Sequence, residues 1–100
     1  MEIWTDGTRR FEVNSYYCLP DSAWTWELVE LSDSYNATPR LSVSVPDATP
    51  EDGQFVPDDV AQVDVLCSSG RVPWRILRRF IGLIEESGDI RDAAAEGGSH

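Results

Sequence analysis

The chain has 100 residues, of which 41% are hydrophobic, and its 18 acidic and 8 basic residues leave a formal net charge of −10. This composition suffices for one ordinary core, so neither disorder nor a metal-dependent fold is required. The negative charge argues against direct binding to nucleic acid or to anionic membranes, whose phosphates would repel the chain. No apolar run approaches the ~18 residues of a membrane span and no signal peptide is evident, so we expect a cytoplasmic protein.

The first two strands are predicted to form a hairpin around the Asp-Gly pair at residues 6–7, which suits the positive φ angles of a tight turn. A two-residue loop there would pair Thr5 with Thr8 and Trp4 with Arg9. Because side chains alternate between the two faces of a strand, one face becomes apolar and the other polar. The side chains expected toward the core are Trp4, Phe11 and Val13, and those expected outward are Ile3, Arg10 and Glu12.

Three more strands are expected farther along the chain. Apolar residues alternate with polar ones over residues 24–28, through Trp24, Trp26 and Leu28, and again over residues 41–45, which Pro46 terminates. Residues 32–39 are polar, contain Tyr35 and are typical of a loop. The last strand covers residues 62–67, with one side formed by Val63, Val65 and Cys67.

Between these strands, residues 46–61 hold three prolines, one glycine and five acids around a lone Phe55. So many breakers predict an irregular segment, here called the acidic loop. Long loops in small domains often carry function or are mobile. The acidic loop is therefore our first candidate for a recognition segment, through Asp47, Glu51, Asp52, Phe55, Asp58 and Asp59.

One helix is predicted from Pro73 to Ser87, with Gly88 as its stop signal. Its apolar residues recur at helical spacing and indicate a helix that lies across the sheet. The expected fold is therefore α+β, with a twisted antiparallel sheet of about five strands and one C-terminal helix packed on one face. Residues 1–88 would form a single domain, and residues 89–100 would form a disordered tail.

The sequence offers little for catalysis or cofactor binding. The only histidine is His100 at the chain end, and no glycine-rich phosphate loop is present. Cys18 and Cys67 lack the close spacing of a metal or redox pair, and we expect both to be small buried side chains, with a disulfide as the alternative. The acid pairs at residues 51–52 and 58–59 lack the ligand pattern of an EF-hand. We therefore expect no metal, no cofactor and no enzymatic activity.

Most aromatic side chains fit a packing role. The inward set is Trp4, Phe11, Trp24, Trp26, Trp74 and Phe80. Tyr16 and Ile3 are expected to face outward, and Tyr35 and Phe55 lie in predicted loops. Because aromatic residues dominate binding hot spots, these outward groups are the apolar candidates for partner contact.

The helix carries an unusual charge pattern. Arg75, Arg78 and Arg79 lie in its first half, close to Arg71, whereas acids occupy its last turn, so both ends oppose the helix macrodipole. Either these arginines pair with acids of the same domain, or they form a patch for an anion or an acidic partner. The alternatives differ in whether the guanidiniums are occupied in the free protein.

Three functions remain open at this point. The first is a small acidic interaction or inhibitor protein, similar in type to immunity and phage counter-defence proteins, that docks on a basic surface of a protein partner. The second is a noncatalytic accessory or homodimeric domain. The third is a small-ligand binder, for which 100 residues leave little room beside a core.

Overall fold

The computed structural model describes residues 3–31, 37–68 and 70–92, and it confirms the α+β class. Five antiparallel strands form one open sheet in sequence order. The strands are β1 (Ile3–Asp6), β2 (Arg9–Cys18), β3 (Ala23–Leu31), β4 (Ala37–Pro46) and β5 (Asp64–Cys67). A short 3₁₀ turn (Val60–Gln62) precedes β5, where a strand was predicted to begin, and the helix α1 (Trp74–Glu86) follows it. No helix within the described ranges is long and apolar enough to cross a membrane.

The first hairpin forms as predicted, but its register differs. Asp6 pairs with Arg9 and Trp4 pairs with Phe11, so the predicted pairs of Thr5 with Thr8 and Trp4 with Arg9 are wrong. The reason is that Gly7, at φ 61°, occupies the first central position of the turn, where a type II′ turn places glycine. The register moves by two residues, so every side chain keeps its predicted face.

The predicted loop over residues 32–39 is wrong at its C-terminal end, because β4 already begins at Ala37. Residues 32–36, which include Tyr35, lie outside the described residues. Leu28 pairs with Leu41 and Val29 with Pro39, so β4 carries one extra residue at this point. Such a bulge interrupts the simple alternation, so the period-two pattern of residues 41–45 does not extend back to the start of β4.

The core lies between α1 and one face of the first three strands. Trp4, Phe11 and Leu28 supply the sheet side, and the helix supplies Ile76, Phe80 and Ile84. The helix begins after Pro73, which occupies the N-cap rather than the predicted first helical position, and ends at Glu86. Beyond it, Ile90 packs against the core and Arg91 pairs with Asp59, while residues 93–100 lie outside the described part of the chain.

Two side chains expected in the core are exposed instead. Trp74 is 68% exposed, and Cys67 is exposed on β5, beside Val65 at 59%. Trp24 and Trp26 are only half-buried. One helix cannot cover five strands, so the β5 side of the sheet and the outer flank of the helix remain open to solvent. Both cysteines are free thiols.

An ion cluster fixes the start of the helix against the sheet. The Arg9 guanidinium donates two bonds of 2.8 Å to the Glu30 carboxylate, and Arg40 donates to the same carboxylate at 3.0 Å. Arg9 also donates to the backbone carbonyl of Arg71, just before α1, at 2.6 Å. Burial by itself would raise the pKa of Glu30. The hydrogen bonds from Arg9 outweigh this effect and, together with those from Arg40, lower the pKa from 4.5 to about 2.

We predict that Glu30→Gln lowers the free energy of unfolding by about 2 kcal/mol at pH 7, because two arginines lose their shared anion. The folded-state pKa lies below the unfolded one, so this contribution is present above about pH 4.5 and disappears as pH falls toward 2. Urea denaturation of both proteins across this pH range measures the difference.

The matched control is Glu12→Gln, which removes a carboxylate from β2 that contacts no guanidinium among the described residues. We expect a change below about 0.5 kcal/mol for it. A Glu30→Gln difference that stayed constant from pH 7 to pH 3 would refute the ion-cluster explanation.

Candidate functional site

The acidic loop is held at its base by the carboxylate of Asp47. One oxygen accepts the backbone N–H groups of Thr49 and Val56 at 2.9 and 3.2 Å, and the other accepts the Tyr17 hydroxyl at 3.0 Å. Burial of Asp47 raises the pKa of its carboxyl, but these hydrogen bonds outweigh that effect and hold the pKa below its ordinary value. Asp47 is therefore ionised at neutral pH and orders the loop around itself.

Phe55 anchors the middle of the loop to the sheet. Its ring lies 5.7 Å from the Trp24 ring and 6.2 Å from the Tyr17 ring, measured between centroids, and the Tyr17 contact is edge-to-face. Such aromatic pairs stabilise beyond the area that they bury. Phe55 was predicted as a partner-contact residue, but its contacts give it a structural role in the loop.

These aromatic groups and Asp47 line an open cleft of about 420 Å³ between the sheet and the loop. Pro50, Gly53 and Gln54 form its loop side. The indole N–H of Trp24 is buried and has no hydrogen-bond partner among the described residues. The cleft therefore combines aromatic surfaces with one ionised carboxylate.

A second hollow of about 370 Å³ lies on the opposite face of the sheet, which α1 does not cover. Its lining includes Tyr16, two strand hydroxyls from Ser42 and Ser44, and the carboxylates of Asp21 and Asp64. Tyr16 is exposed, as predicted; partial desolvation of its hydroxyl and the neighbouring Glu27 raise the pKa of that hydroxyl.

The turn between β2 and β3 separates the two hollows. Leu19 in this turn is 78% exposed and also borders the aromatic cleft. A large apolar side chain exposed this far between two charged hollows is available for contact with another molecule.

Negative charge accumulates around both hollows, a region that we call the acidic end. Among the described residues, Arg91 alone brings a guanidinium to this end, and it donates to the Pro57 carbonyl. The carboxylates of the acidic end include those of Asp21, Asp47, Glu51, Asp52, Asp58, Asp59 and Asp64, and that of Glu27 lies beside Tyr16.

The predicted site residues divide into two groups. Glu51 and Asp52 are exposed at the tip of the acidic loop and are free to meet a partner. Asp58 and Asp59 are half-buried, and their carboxylates accept backbone N–H groups at 2.7 and 3.0 Å, so they shape the loop. Tyr35 lies outside the described residues.

The predicted arginine patch is separate from the acidic end. Arg71, Arg75 and Arg78 are exposed, and no carboxylate of the described chain pairs with their guanidiniums. Arg79 instead stacks on the Trp4 ring at 4.5 Å. The expected pairing with acids of the same domain is therefore not made by the three exposed arginines.

Sequence reasoning missed the floor of the cleft. Tyr17 was not singled out, and Trp24 was assigned to the core, because their contacts with Phe55 span 38 and 31 residues of chain. Leu19 and Asp21 were missed because turn positions show no periodic pattern, and Asp64 was missed because it was treated only as the polar side of the last strand. Within residues 3–31, 37–68 and 70–92, no group of three potential metal ligands forms.

Comparison with protein-family models, with curated proteins and with solved structures finds no match to this chain. The function must therefore be argued from the acidic end itself.

We predict that Phe55→Ala lowers the free energy of unfolding by about 1 to 2 kcal/mol, because a half-buried ring loses its contacts with Trp24 and Tyr17. The freed loop should also be cleaved faster by a nonspecific protease. Urea denaturation and limited proteolysis measure the two effects. Leu19→Ala is the matched truncation of an exposed side chain and should change neither; equal effects of the two variants would count against the anchor role.

Proposed function

We propose that this protein is a small acidic interaction or inhibitor protein, which docks through its acidic end on a basic surface of another protein. The observation that carries the proposal is the gathering of carboxylates at the acidic end, around the aromatic cleft and the second hollow, with one guanidinium beside them in the described chain. Docking of this kind covers the cationic surface of the partner and so blocks the access of other molecules to that surface.

The cleft has the chemistry to receive one basic side chain of the partner. An arginine or lysine on an aromatic face is attracted by the ring, and the attraction grows when water is excluded. Tyr17, Trp24 and Phe55 offer such faces, and the ionised Asp47 lies beside them. The Asp47 oxygen that accepts the Tyr17 hydroxyl has capacity for a second hydrogen bond.

The rim of the cleft adds long-range attraction. Glu51 and Asp52 are exposed next to Pro50 and Gly53, which line the cleft. A concentrated negative field accelerates association with a cationic partner by roughly 10- to 1,000-fold, and the gain falls as salt rises. The exposed Leu19 supplies apolar contact at the same end.

The test is affinity capture from a lysate of the source cells at low salt, followed by elution at moderate salt and mass spectrometry. We expect the wild-type chain to retain a basic protein that elutes as ionic strength rises. The double variant Glu51→Lys with Asp52→Lys should lose that protein, because both exposed rim charges are reversed while the buried loop contacts of Asp47 remain.

The matched control reverses Asp6 and Glu12 to lysine, which makes the same change in net charge at the opposite end of the sheet. Circular dichroism confirms that both variants fold. The proposal fails if the rim variant retains the captured protein as well as the wild type does, or if the control variant loses it equally.

A further inference from the structure

The exposed side of α1 carries a stripe of four residues that the acidic end does not use. Trp74, Arg78, Ile81 and Glu85 recur at spacings of four, three and four, so at 100° per residue they fall within about 60° of one another. Trp74 is 68% and Ile81 is 45% exposed. Two large apolar side chains therefore alternate with two opposite charges along one side of the helix.

The stripe lies on the flank of α1 that faces the uncovered part of the sheet. The other flank, with Arg79 and Leu83, lies over Trp4 at the β1 edge. The stripe is therefore turned toward β4 and β5, where Val65 is also exposed. On this flank Leu77 is half-buried, whereas Trp74 and Arg78 are exposed.

The two charges of the stripe have no partners within the described chain. No ion pair or side-chain hydrogen bond joins the guanidinium of Arg78 or the carboxylate of Glu85 to another described residue. They are seven residues apart, or about 10 Å along the axis, too far to pair within one helix. Arg78 near the N-terminus and Glu85 near the C-terminus also oppose the macrodipole.

We propose that α1 packs antiparallel on α1 of a second copy of this chain, through the stripe. In that arrangement Arg78 of each copy faces Glu85 of the other, and the two Ile81 side chains meet at the twofold axis. Trp74 covers the C-terminal end of the opposite helix. The stripe is self-complementary only in the antiparallel orientation, because a parallel pair would place Arg78 on Arg78.

The charge pattern that is unfavourable in one helix becomes favourable in the pair. Each Glu85 near a helix C-terminus then lies beside Arg78 of the other copy, and the two macrodipoles run in opposite directions. One helix face per copy buries less than the roughly 1,200 Å² of a standard stable interface, so we expect a weak, concentration-dependent dimer.

Sedimentation equilibrium of the full chain over a wide concentration range, at about 0.15 M salt, tests this proposal. The wild-type protein should dimerise reversibly. Arg78→Glu alone and Glu85→Arg alone should each weaken the dimer by about tenfold or more, because both ion pairs become like-charge contacts. An equimolar mixture of the two variants should restore dimerisation as a heterodimer, since every pair is then opposite in sign.

Arg10→Glu is the matched control, because it makes the same change in net charge as Arg78→Glu but lies exposed on the face of the sheet opposite α1. It should leave the dimer within about threefold of the wild type. The proposal is overturned if the wild-type chain stays monomeric at about 1 mM, if Arg10→Glu weakens the dimer equally, or if the mixture fails to restore it. A dimer whose affinity is unchanged by all three substitutions would also overturn the proposal and would indicate the β5 edge as the interface.

Discussion

The structure depends on one constraint: a single helix must cover one face of a five-stranded sheet. A helix is about 10 Å wide, whereas five strands spaced by about 4.8 Å extend over roughly 19 Å. The helix therefore covers β1 to β3, where Trp4, Phe11 and Leu28 meet Ile76, Phe80 and Ile84. At the end of the sheet that carries Trp24, the acidic loop covers the same face through Phe55. The β5 side of this face stays exposed. The aromatic cleft and the exposed helix stripe are both consequences of this incomplete cover.

The placement of charge follows from the same arrangement. Glu30 holds Arg9 and Arg40 at the end of the sheet where the helix starts, and through Arg9 it fixes the segment that leads into α1. Cations are thereby gathered at one end of the molecule, and carboxylates dominate the other. The net charge of −10 consequently acts as a directional field rather than a uniform one.

Local periodicity was sufficient to predict the elements of this fold but not their exact pairing or cover. The alternating pattern placed Trp4 and Phe11 on the core face, and this prediction is confirmed. The predicted pairing of β1 with β2 was wrong by two residues, but a shift of two residues leaves each side chain on the same face of the sheet. Trp74 has the spacing of the apolar helix face and was therefore assigned to the core. The local sequence does not show how much of that face the sheet can bury, and Trp74 is exposed. The acidic loop was identified from its breakers, but its link to Tyr17 and Trp24 is a long-range contact that no pattern encodes.

The two proposed surfaces are compatible because they lie on different sides of the molecule. The C-terminal end of α1 lies near the acidic end, where Arg91 pairs with Asp59, and its N-terminal end lies at the Arg9–Glu30 cluster. An antiparallel pair of helices therefore places the two acidic ends at opposite extremes of the dimer. This separation reduces the repulsion between two chains of charge −10, and it leaves both aromatic clefts open. A dimer of this form would present two docking sites, so a partner with two suitably spaced basic surfaces would bind more tightly than either site alone allows.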